Sequence, residues 1–215
     1  MAMQTTTALP PGYQRLDTID LSRSRKALVG AIILGIGLLL SVGWLLVQAV
    51  RLLRPAALDG IRYRTVLGLS EDGAFSLNLP LLDFLAAMVL VLLLHELVHG
   101  LAYWWFARRR PRFGVAGLLP YAAAPPGVYF PRKQYLAVGL APLLLLTGAG
   151  LLLLLVAPVA ALSVLTLFIA LNAAGAAGDL VLVARLRSFA PDTLMEDAGA
   201  GTVVYGPAPA AASRR

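Results

Sequence analysis

VLLLHELVHGLAYWWFARRR, residues 91–110, is the stretch on which the reading of the chain turns. It is apolar enough for hydrocarbon, yet His95, Glu96 and His99 interrupt it. An acidic side chain at mid-bilayer costs roughly 2.5–3.5 kcal/mol on insertion scales, so such a residue marks function. Tyr103, Trp104, Trp105 and Phe106 follow, then Arg108, Arg109 and Arg110. Aromatic side chains at headgroup depth followed by cations describe a membrane helix leaving on the cytoplasmic side.

The rest of the chain agrees with that reading. Of 215 residues, 59% are hydrophobic and 13% charged, where a soluble domain carries about a quarter charged. Apolar runs long enough for membrane helices lie at about 27–50, 79–106, 136–157 and 159–184. The first is too long for a signal-peptide core and has no clear cleavage site, so it reads as a retained span. Pro158 separates the last two with almost no loop. The expected fold is an all-α integral membrane protein of about four transmembrane helices, with small β-hairpin or extended segments in the loops. A polar cytoplasmic segment, 1–26, precedes a membrane-embedded domain at 27–187. In the loop 51–78, Asp72-Gly73 followed by a β-like run suggests a small hairpin. Residues 107–134 are rich in Gly and Pro and suit short extended pieces rather than a continuous helix. The tail, 188–215, is rich in Ala, Pro and Gly and reads as disordered.

The net charge of +7 does not point to nucleic acid. All 18 Lys and Arg lie outside the apolar runs, and no basic face with interleaved aromatics exists. With the N-terminus inside, the cytoplasm receives the Arg23–Lys26 cluster, the six basic residues of 107–134, and Arg185 with Arg187. The opposite side receives four basic residues in 51–78. Both termini are therefore expected in the cytoplasm, with a bacterial inner membrane as the expected location. The chain has no cysteine, which excludes disulfides and thiolate metal sites.

His95-Glu96-Leu97-Val98-His99 is an HExxH motif, and it uses both histidines in the chain. At i, i+4 spacing the two imidazoles share one helix face with Cβ atoms about 5–6 Å apart, close enough to chelate one cation. Glu96 projects about 100° away, where it can reach a metal-bound water without ligating the metal. Two imidazoles, a carboxylate oxygen and an open position suit zinc, which lowers the pKa of bound water toward about 7.

The third ligand must come from elsewhere. Asp83 is twelve residues before His95 on the same run, about 18 Å away along the axis. Asp179, in the last run, sits about 9 Å from its basic flank and His99 about 13 Å from its own, at 1.5 Å per residue. Similar depth makes Asp179 the expected ligand. Asn172 precedes it by seven residues, on nearly the same helix face. Its amide is a candidate catalytic group, binding the substrate backbone or a developing oxyanion; an interhelical hydrogen bond is the alternative. The small residues 173–178 allow another helix to approach closely.

HELVHG, NAAGAAGD and the Gly/Pro-rich stretch between them resemble the putative zincin peptidase family of small four-span membrane proteins, and more distantly the site-2 proteases. The resemblance implies His95, His99 and Asp179 as zinc ligands, Glu96 as general base, and Asn172 in place of the asparagine upstream of the aspartate. The chain departs from the site-2 pattern in having no proline between Asn172 and Asp179. The segment 112–130 resembles the region that forms β-structure beside such sites, where an extended peptide could add as a strand.

The reading that follows is a Zn²⁺-dependent intramembrane or membrane-proximal endopeptidase acting on a membrane protein or peptide. Two others compete with it: a non-enzymatic membrane protein with a structural metal site, and a zinc hydrolase of a small amide substrate.

Overall fold

The computed structural model describes residues 4–61, 67–69, 75–77, 80–116, 119–198 and 201–208. Among them the chain is mostly helical. Four helical segments are long and apolar enough to cross a membrane: Arg25–Leu53 (α1), Leu81–Ala107 (α2), Arg132–Val156 (α3) and Val159–Leu186. The last is divided into Leu162–Gly175 (α4) and Ala177–Leu186 (α5). In these Leu/Val/Ala-rich runs a helix satisfies every interior backbone group within its own segment, as an apolar surrounding requires. Large apolar side chains point outward along them; Leu82 is 81% exposed and Leu152 70%. Such a surface suits hydrocarbon rather than water.

By contacts the chain divides into two units, each containing one end of α1, α2 and α3. One comprises Ile32–His95 and Pro142–Ala177. Its core is Leu46, Val50, Ala87, Val91, Leu154, Leu162, Phe168 and Ile169. Gly150 lets α3 touch α4, since a Cβ there would lie 2.6 Å from Ile169 Cγ1. Arg54 donates to the carbonyls of Leu154 and Ala157 at 3.0 and 2.6 Å, satisfying end groups of α3 that lack helical donors. The hairpin expected in 51–78 is present as Leu67–Leu69 (β2) paired antiparallel with Phe75–Leu77 (β3). Its Asp72-Gly73 turn lies outside the described residues.

The other unit comprises Met1–Ala31, Glu96–Ala141 and Gly178–Arg215. Here the structure departs from the sequence reading. Tyr13–Ile19 (β1), Phe130–Pro131 (β6), Leu194–Asp197 (β7) and Thr202–Pro207 (β8) form an antiparallel sheet in the order β1-β8-β7-β6. The fold is thus mostly helical with a real sheet, not all-α with loop hairpins alone. The tail expected to be disordered supplies two of the four strands, and the polar N-terminal segment supplies a third. The physical reason is burial: Leu194, Met195 and Val204 are fully or almost fully enclosed. Met195 and Val204 pack with Tyr103, Phe130, Tyr135 and Val138 around one core, which repays the ordering of the strands.

A chain of hydroxyls stitches the sheet to the helices. Tyr135 and Thr202 are 2.9 Å apart, and Tyr103 bonds both Tyr135 and Asp197. The Gly/Pro-rich stretch after α2 forms the expected extended pieces, Arg112–Ala116 (β4) and Leu119–Ala123 (β5), in register Phe113↔Ala122.

Candidate metal centre

The HExxH residues lie inside the continuous helix α2. Its 3.6-residue repeat puts His95, His99 and Tyr103 on one stripe. His95 and His99 are buried, at 7% and 8% exposure. His99 Nε2 is 3.4 Å from Asp179 Oδ2, and the ligand atoms of His95, His99 and Asp179 all lie within 4.8 Å of one another.

Asp179 reaches this position because the last helical segment is broken. Ala176, with φ −69° and ψ −2°, ends α4, and its N–H returns to Asn172 O at 3.0 Å. A new helix begins at Ala177, placing Asp179 in the first turn of α5. The positive end of the α5 dipole favours a carboxylate there. The Ala/Gly run read as a close-packing seam is therefore also the joint that aims the aspartate.

The ring tautomers follow from the partners. His99 Nδ1 lies 3.1 Å from Val138 O. A carbonyl only accepts, so Nδ1 is the donor, and Nε2 is the ring nitrogen that faces Asp179. His95 Nδ1 lies 3.1 Å from Asn172 Oδ1. Asn172 Nδ2 donates to Pro142 O and Thr147 Oγ1, both at 3.2 Å. The amide thus presents oxygen to His95, and His95 is likewise protonated at Nδ1. Both imidazoles offer Nε2 to a ligand, the arrangement by which outer partners prepare metal-binding histidines.

These residues fit zinc. A tetrahedral ion with arms of 2.0–2.1 Å needs ligand atoms about 3.3 Å apart, close to the 3.4 Å between His99 and Asp179. The donor set of two neutral imidazoles and one carboxylate is also a zinc set. Glu96 stays out of the group; its Oε2 accepts the N–H of Ala122, on β5, at 2.6 Å. Asp83, in the first turn of α2, takes no part.

Asn172 is fully buried, and both protons of its amide are committed to Pro142 and Thr147. Of the two roles considered from sequence, this geometry favours the interhelical bond, directed at a metal ligand, over contact with substrate. The Val138 carbonyl and the Ala122 N–H were not legible, because backbone groups have no residue-type signature.

Two histidines one turn apart, an adjacent glutamate and a carboxylate from another helix form the donor pattern of zincin-type centres. Residues 88–194 match the model of the family described as putative zincin peptidase. The matched stretch contains His95, Glu96, His99, Asn172 and Asp179. No curated protein and no solved structure matches the chain.

Proposed function

We propose that the chain is a zinc-dependent endopeptidase that works within or beside a membrane. The observation that carries this reading is the gathering of His95, His99 and Asp179 into one ligand group, with Glu96 on the next residue of the same helix. His95 and His99 would hold zinc through Nε2, and Asp179 through a carboxylate oxygen. Bound there, zinc acidifies water and polarises a carbonyl.

Glu96 is the general base: it takes a proton from the attacking water and returns it to the leaving amine. The Ala122 N–H fixes the direction of its carboxylate. The β4–β5 sheet stands beside Glu96 and offers strand edges to which an extended peptide could add. Four apolar helical segments and the basic residues flanking them support a multi-pass protein of the bacterial inner membrane, both termini cytoplasmic. The substrate is then a membrane protein or peptide.

The test uses purified protein in detergent or bilayer discs and a library of membrane peptides. Zinc-loaded wild type should cleave, chelated protein should not, and Glu96→Gln should bind zinc without cleaving. Equal cleavage by wild type and Glu96→Gln would remove the proposal.

A further inference from the structure

Pro142 lies inside α3, and two consequences of that placement meet at the metal centre. A proline has no N–H, so the carbonyl four residues earlier loses its helical donor. Four residues before Pro142 is Val138. Its carbonyl is the group 3.1 Å from His99 Nδ1. Pro142's own carbonyl accepts from Asn172 Nδ2 at 3.2 Å. That contact turns the Asn172 amide so that Oδ1 faces His95 Nδ1 at 3.1 Å.

We propose that Pro142 is a positioning residue for both imidazoles: its missing N–H releases Val138 O to His99, and its carbonyl orients Asn172 toward His95. Each arm holds Nδ1 as a donor and turns Nε2 toward the ligand group. Where a proline in a membrane helix frees a carbonyl, another donor must satisfy it. In this chain the donor is a histidine ring. The inference rests on the metal-centre reading but does not require that the centre cleave peptides.

The experiment joins two measurements. The first is imidazole ¹⁵N NMR of wild-type apoprotein at alkaline pH, where both rings are neutral; it is simple to assign because the chain has only two histidines. Both rings should show Nδ1–H with an unprotonated Nε2. The second compares zinc affinity in wild type and Pro142→Ala by competition with a chelator. Alanine restores an N–H that claims Val138 O. Zinc affinity should fall by about 10–100-fold, the usual effect of losing an outer partner, and the His99 ring should lose its Nδ1–H signature. The apoprotein should unfold no more readily than wild type, because alanine is the better helix former. A merely structural proline would instead change stability and leave affinity and tautomers alone.

Wild-type rings protonated at Nε2 would overturn the proposal, as would unchanged zinc affinity in folded Pro142→Ala. The wild-type spectrum needs no variant, so it decides the matter even where Pro142→Ala does not accumulate. A chain that binds zinc tightly, shows the expected tautomers and cleaves nothing would refute the peptidase reading and leave this inference standing.

Discussion

The two imidazoles of the centre are held by different kinds of partner. His95 leans on a side chain, the buried amide of Asn172, which is itself fixed by Pro142 O and Thr147 Oγ1. His99 leans on a backbone carbonyl, that of Val138. The bond lengths are equal, and both rings acquire the same tautomer. They differ in what a substitution can reach: an amide is removed by changing the residue that carries it, whereas a carbonyl survives replacement of its own side chain and is lost to the ring only when Pro142 is replaced. The comparison teaches that sensitivity to mutation around this site reports the kind of partner as much as its importance.

The largest expected effect falls on neither arm. Glu96→Gln removes the base and leaves both imidazoles as they are, so peptide cleavage should fall by about 10²–10⁴-fold while zinc content stays at the wild-type level. Loss of zinc in this variant would mean that Glu96 ligates the metal, and the distinction between ligands and base would fail. Next comes the side-chain arm. Asn172→Ala should weaken zinc binding by about 10–100-fold, read by chelator competition. Unchanged affinity would show that His95 does not need the amide.

Replacing Val138 itself should give the smallest effect on the metal. Val138→Ala keeps the carbonyl, so zinc affinity should match wild type. Val138 is 2% exposed, and the lost methyls should cost about 1–3 kcal/mol of stability, read as a lower melting temperature. A fall in zinc affinity as large as that of Asn172→Ala would erase the contrast between the two arms.

Much of this was legible in the sequence where the physics needs particular residue types. Apolar runs announced four helices long and apolar enough to cross a membrane. The i, i+4 histidines and the adjacent glutamate marked α2 as the helix of the candidate ligand group. Asp179 stood out because few acidic residues lie in those runs. The sheet was hidden for a different reason. Tyr13 pairs with Pro207, and no local pattern reports a partner so far along the chain. Alanine, proline and glycine in the tail masked the buried Leu194, Met195 and Val204. The Val138 carbonyl was equally silent, yet Pro142, four residues on, stands in plain view in the sequence. A proline within an apolar run marks the carbonyl that it frees, so a residue type can point to a backbone group that has no signature of its own.

The central claim is that α2 and α5 together hold one cation through His95, His99 and Asp179. It is tested most directly by zinc content after dialysis in wild type and in Asp179→Ala, with folding checked by circular dichroism. The account predicts one tightly held zinc per wild-type chain and none retained in a folded Asp179→Ala. A folded Asp179→Ala that keeps its full zinc would contradict it.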